Sequence, residues 1–117
     1  MSMDGFDGLA RHDLAAPPLL WSESSSVVHE LFWRNELSGD LAGIAMGRLR
    51  SAPIRPKSPR RLLVEAWRIA DDFGWAKTYD AEYVALAVLQ NCPLLTIDGR
   101  LQRTASRVIE VLGPADL

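Results

Sequence analysis

The chain has 117 residues, which suits one domain, because two separate cores of half this length would each bury too little surface to fold alone. A hydrophobic fraction of 48% and a charged fraction of 24% exclude an intrinsically disordered chain. One cysteine and two histidines exclude an intrachain disulfide and a Cys/His zinc cluster, and a net charge of −2 excludes a generally basic surface for nucleic acid.

The domain organisation predicted from the sequence is simple. Residues 1–10 are rich in Gly and Asp without hydrophobic periodicity and predict an irregular arm, whereas residues 11–117 predict one domain. No apolar run reaches the ~20 residues that cross a bilayer, and the start of the chain is acidic where a secretory signal would be basic. We therefore expect a cytoplasmic protein without a membrane segment.

The first half of the domain predicts a short strand followed by two helices. Leu14–Ala16 is a brief apolar run stopped by two prolines, which is typical of a short buried strand. Apolar residues then recur at three- and four-residue spacing, first over residues 22–37, with Ser22 as the capping residue, and again over residues 40–49.

The second half predicts further alternation of helices and strands. A proline-rich loop leads to a third helix that ends near Phe73, and residues 75–79 predict a very short strand. A mostly apolar helix then opens at Asp80. The last predicted elements are a buried strand over residues 94–97, a short helix over residues 100–106 and a strand over residues 108–112. This alternation favours a parallel sheet covered by helices.

Three carboxylates share one predicted position. Glu23, Asp80 and Asp98 each follow a strand-like or extended segment and lie where a helix begins. In an open parallel sheet ligands gather beyond the carboxyl ends of the strands, so we expect these side chains to converge. Neighbouring carboxylates repel unless a cation neutralises them, and oxygen ligands favour Mg²⁺ or Mn²⁺. Such an ion would attract a phosphodiester.

Each of these features also has a simpler explanation. Asp is a favoured N-cap, and Glu in a first turn is stabilised by the helix dipole by ~0.3–1 kcal/mol. The four tryptophans are typical of a core or a dimer surface as well as of base stacking. The basic residues between Arg48 and Arg61 suit either phosphate contacts or a solvated loop. A small α/β regulatory domain with the three carboxylates far apart is therefore an alternative.

Two blocks of the sequence resemble VapC-type PIN ribonucleases. Residues 78–87, Thr-Tyr-Asp-Ala-Glu-Tyr-Val-Ala-Leu-Ala, are similar to the YDAxYxxLA block of that family. Residues 93–98, Pro-Leu-Leu-Thr-Ile-Asp, are similar to its PLxTxD block. The separation between Asp80 and Asp98 also fits the family. Residues 13–23 look like the family's strand-Pro-x-Leu-x-x-x-Glu segment. The resemblance spans about residues 11–112.

The resemblance implies a fold, an activity and partners. The fold would be a PIN-like α/β domain with a parallel sheet flanked by helices. The activity would be metal-dependent endonucleolytic hydrolysis of RNA, with Glu23, Asp80 and Asp98 as the catalytic ligands of Mg²⁺ or Mn²⁺. Thr96 matches a polar position beside the last ligand and would contact the substrate. A VapB-type antitoxin and a homodimer are the implied partners.

The chain departs from the family at its start. PIN domains begin with an apolar strand that ends in Asp-x-Ser, and here only Asp4 and Asp7, after a poor strand pattern, are available instead. We therefore expect the first acidic ligand to be absent. In the family that strand lies in the middle of the sheet, so its loss would expose strand edges that a close dimer would cover. The alternatives are a catalytically impaired protein that only dimerises or binds an antitoxin, and a longer gene product.

Overall fold

A computed structural model of the chain describes residues 12–116. The arm predicted over residues 1–10 lies outside this range. The described part is a mixed α/β structure with five α-helices, four short strands and a final 3₁₀ turn at Pro114–Asp116. In chain order the elements are β1 (Leu14–Ala16), α1 (Leu19–Trp33), α2 (Gly39–Ser51), β2 (Ile54–Pro56), α3 (Leu62–Phe73), α4 (Tyr79–Gln90), β3 (Leu94–Leu95), α5 (Gly99–Ala105) and β4 (Val111–Leu112).

The strands form two separate parallel sheets. β1 pairs with β2, with Leu14 opposite Ile54, and β3 pairs with β4, with Leu94 opposite Val111. The predicted α/β class and parallel pairing are confirmed. The prediction of one sheet is wrong for residues 12–116, because each ladder joins only two strands and nothing in this range bridges them. Each described strand therefore has one unpaired edge.

The hydrophobic core lies between α3 and α4. On α3 the buried residues Leu62, Ala66 and Ile69 follow helical spacing and face α4, where Ala81 and Ala85 are fully buried. Alanines on both helices allow the two backbones to approach closely. β3, β4 and α5 cover the other side of α4 and add further apolar residues to the same cluster. This cluster is thus built from residues beyond the proline-rich segment, whereas the buried residues Ala16 and Pro17 lie before it.

Helices α1 and α2 pack on each other but contain no buried residue. α2 begins at Ser38, whose hydroxyl accepts a hydrogen bond from the backbone N–H of Leu41. Several of their large apolar side chains are more than half exposed, among them Trp33 at 76% and Ile44 at 54%. The N-terminal helix pair therefore presents an apolar surface outside the core.

Several local differences separate the structure from the sequence prediction, among them shorter strands at Leu94–Leu95 and Val111–Leu112. α1 begins at Leu19, one turn before Ser22, because Pro18 occupies the favourable start of a helix. Residues 75–79 form no strand, since Trp75 instead packs its ring against Phe73, with centroids 5.1 Å apart. Ile54–Pro56, predicted as loop, is strand β2. Among residues 12–116, no helix combines the length and the apolarity needed to cross a membrane.

Candidate functional site

Glu23 is held at the N-terminal end of α4 by a single hydrogen bond. Its Oε1 accepts from the hydroxyl of Tyr83 at 2.8 Å, across a sequence separation of 60 residues. The carboxylate lies past the first turn of α1, so the prediction that it starts a helix is wrong. Its position comes instead from α4, whose half-buried Tyr83 reaches out from the core toward α1.

Asp80 lies in the first turn of α4 together with Glu82. Burial raises the pKa of Tyr83 well above its usual range, and the hydrogen bond to Glu23 and the charges of Glu23, Glu82 and Asp80 raise it further. Burial, followed by the charge of Glu23, also raises the pKa of Glu82. The charges of Glu23, Asp80 and Glu82 therefore all act on the Tyr83 hydroxyl. With two carboxylates in its first turn and Glu23 bonded to Tyr83, this end of α4 carries three acidic side chains.

Asp98 follows β3 and caps α5, as its predicted place at a helix start requires. Its Oδ1 accepts hydrogen bonds from the backbone N–H groups of Arg100 at 2.9 Å and Leu101 at 3.3 Å. Thr96 supports this turn, because its Oγ1 accepts from the backbone N–H of Asp98 at 3.1 Å. Within residues 12–116 the second oxygen, Oδ2, takes no hydrogen bond, so it stays open to a ligand.

The structure joins Glu23 to Tyr83 near the start of α4. Among residues 12–116, no hydrogen bond joins Asp98 to Glu23 or to Asp80. In the described range, no three His, Cys, Asp or Glu side chains are grouped so that they could hold a metal ion. In proteins Mg²⁺ is often held by one or two carboxylates, with water and phosphate oxygens as the other ligands. An ion completed in that way would need only one or two of these carboxylates, and the described residues form no cage of three protein ligands. The metal site at Glu23, Asp80 and Asp98 stays a prediction.

The sequence reasoning passed over Tyr83 and Glu82 as site residues. A signal for Tyr83 was present, because it follows Asp80 by three residues and so shares a helix face with it. No local signal pointed to its contact with Glu23, since that contact depends on how α1 lies against α4.

The basic stretch runs from Arg48, in the last turn of α2, to Arg61, just before α3, and some of its residues bind other side chains of the protein. Arg55 pairs with Asp13 across β1 and β2, and Lys57 donates a hydrogen bond to Gln90 at 3.2 Å. Arg61 lies 4.0 Å from Glu65. Three other arginines of the stretch, all exposed, make no ion pair among residues 12–116: Arg48, Arg50 and Arg60.

A groove of about 520 Å³ lies between α1 and α2. Its lining is mostly apolar and contains none of the three predicted ligands. We call it the α1–α2 groove, and it is formed by Ser25, Ser26, Val28, His29, Phe32, Ala42, Gly43 and Met46. The chain thus carries two separate candidate surfaces, one acidic and one apolar.

No protein-family model matches the sequence, and no curated protein matches it.

Proposed function

We propose that the chain is a metal-dependent endoribonuclease of the VapC type with a PIN-like fold. The observation that carries the proposal is the Tyr83–Glu23 hydrogen bond, because it brings Glu23 to the helix end that bears Asp80. Both residues match acidic positions of the family's blocks, and Asp98 matches a third. The negative charge at this helix end supports a cation as the ligand.

In such a site the residues of this chain would have different roles. Glu23, Asp80 and Asp98 would hold the ion, and Thr96 fixes the turn that carries Asp98. Bound Mg²⁺ or Mn²⁺ supplies a Lewis acid for the phosphodiester and lowers the pKa of a coordinated water. The exposed arginines at the end of α2 and just before α3 offer positive charge for further phosphates of the RNA. A homodimer and a VapB-type antitoxin are proposed as protein partners.

The proposal is tested by replacing Asp98 with Asn. Asn is as good an N-cap as Asp, so Asp98→Asn keeps the cap of α5 and removes only the charge. We expect the parent protein to cut a structured RNA in the presence of Mg²⁺ or Mn²⁺ and the variant to lose the activity. The matched control is Asp71→Asn on α3, which removes an exposed carboxylate that makes no ion pair in the described range. Equal cleavage by parent and Asp98→Asn would refute the proposal.

A second candidate function is a binding module without catalysis, which dimerises or captures a VapB-type antitoxin. The exposed apolar surface of α1 and α2 favours it, as does the lack of a three-ligand group within residues 12–116. Light scattering after size exclusion, with and without such an antitoxin, should then detect a complex that Phe32→Glu disrupts. The control is Leu63→Glu, at an exposed apolar position on α3. A parent protein that is monomeric in both samples would contradict this function.

A further inference from the structure

The outer face of α2 carries apolar side chains that are open to solvent. Leu41 and Ile44, three residues apart on this face, are each 54% exposed, and α2 contains no buried residue. A Cβ added at Gly43 would meet no atom of residues 12–116 within 4 Å, so another helix can approach closely there. Gly43 also lines the α1–α2 groove, so the two surfaces are continuous. Burial of this face in a partner would remove apolar surface from water.

Two opposite charges flank Ile44 at equal distances. Asp40 lies four residues before Ile44, in the first turn of α2, and Arg48 lies four residues after it, in the last turn. A spacing of four residues keeps side chains on one face of a helix. Asp40 and Arg48 are about 12 Å apart along the helix axis, so they cannot pair with each other within α2. Neither side chain forms an ion pair among residues 12–116.

A second copy of the chain offers a partner to each of these charges. If two α2 helices pack antiparallel around a two-fold axis at Ile44, residues at equal distances before and after Ile44 face each other. Asp40 of each copy then lies opposite Arg48 of the other, and the two Ile44 side chains meet at the axis. A parallel pair in the same register would instead bring like charges together. The charge pattern therefore favours the antiparallel arrangement.

We propose that the outer face of α2 is a homodimer interface, in which two α2 helices pack antiparallel with Ile44 at the two-fold axis and Asp40 of each copy paired with Arg48 of the other. The occupant is a second copy because one α2 supplies both members of each ion pair and the apolar centre between them. This inference goes beyond the ribonuclease function and requires neither a metal nor catalysis. It assigns Arg48 to the second copy and leaves Arg50 and Arg60 open to RNA phosphates.

The experiment reverses the charges in separate proteins and then mixes them. In a homodimer, Asp40→Arg brings two arginines together at each contact, and Arg48→Glu brings two carboxylates together. We expect each variant to dimerise about tenfold or more weakly than the parent in analytical ultracentrifugation at low salt. An equimolar mixture of the two variants should dimerise like the parent, because each contact in the mixed dimer joins an arginine to a carboxylate.

Two further proteins separate an interface from a local role of these charges. Asp40 and Arg48 each have the sign that the dipole of α2 favours, so either reversal also weakens α2 itself. If only this local effect mattered, the protein with both substitutions would dimerise worst of all. We expect it instead to recover, because its exchanged charges still pair across the axis. The matched control is Arg103→Glu, at an exposed arginine in the last turn of α5, which should dimerise like the parent.

A second measurement locates the axis with both charges intact. In Cys92→Ser protein, which lacks the exposed native thiol, Ile44→Cys should form a disulfide-linked dimer with oxidised glutathione. Equivalent residues at a two-fold axis lie close enough for such a bond. Leu63→Cys in the same background, at an exposed position of α3, should remain unlinked.

Each experiment has a result that would overturn the inference. A parent protein that stays monomeric at every concentration would do so and would leave the outer face of α2 to a different protein. A mixture of Asp40→Arg and Arg48→Glu that dimerises no better than either variant alone would also do so, as would equal cross-linking of Ile44→Cys and Leu63→Cys. The loss of RNA cleavage in Asp98→Asn tests the ribonuclease function alone.

Discussion

The pKa of Glu82 shows how one residue affects another among the acidic side chains at the start of α4, which are Glu23, Asp80 and Glu82. Its pKa is raised first by burial and second by the charge of Glu23. We predict that Glu23→Gln lowers the pKa of Glu82 part of the way toward its usual value, because the burial remains. The measurement is a pH titration of the glutamate Cδ resonances by NMR. Glu30→Gln, which removes another carboxylate of α1, should leave the pKa of Glu82 unchanged.

The same shift links pH to stability with a defined sign. Because the folded-state pKa of Glu82 lies above its unfolded value of about 4.3, the folded protein binds more protons between these two pKa values. The contribution of Glu82 to the free energy of unfolding is therefore greatest at low pH and falls as pH rises through that window. Glu23→Gln should narrow this pH window, because it brings the folded-state pKa of Glu82 closer to the unfolded value. A Glu82 pKa that does not change in Glu23→Gln would show that the two groups do not interact.

The ends of helices provide a prediction at the scale of the element. Gly74 ends α3 in the left-handed region, at φ 71°, where a Cβ meets no neighbouring atom but strains the backbone. We predict that Gly74→Ala lowers the free energy of unfolding by about 1–2 kcal/mol, measured by urea denaturation. The matched substitution is Gly47→Ala inside α2, where a Cβ also meets nothing. It should raise stability by roughly 0.5–1 kcal/mol, because alanine loses less entropy in a helix. Equal effects at both positions would contradict the argument.

Helices and their ends were more predictable than the strands. The periodicity of α3, its end at Gly74 and the cap of α5 at Asp98 depend on neighbouring residues, so a local pattern is enough to find them. Strand β2 was missed because it lies among prolines and forms only through pairing with β1, some 40 residues earlier. The Glu23–Tyr83 contact depends on the approach of α1 to α4 and was missed for the same reason. The predicted approach of Asp98 to these residues has no support in the structure.

The whole molecule combines a packed C-terminal core with an N-terminal helix pair outside it. Every member of the core cluster lies between Leu62 and Val111. The radius of gyration is 15.2 Å, compared with about 13 Å for a compact domain of this length. In the part of the chain that the structure describes, side-chain hydrogen bonds tie the N-terminal half to α4 at two places, Glu23 to Tyr83 and Lys57 to Gln90. Little apolar burial therefore stabilises α1 and α2.

This unequal packing predicts unequal hydrogen exchange. Amides of α4 should exchange only through global unfolding, whereas those of α1 and α2 should exchange much faster through local opening, because no residue of either helix is buried. Hydrogen exchange followed by mass spectrometry, at several protein concentrations, measures the exchange rates of α4 and of α1 and α2. If a second copy covers the α1–α2 groove, protection of α1 and α2 should rise with concentration while that of α4 stays constant. Equal protection of α1, α2 and α4 in the dilute protein would contradict the prediction, because it would require the exposed helices to open only with the core.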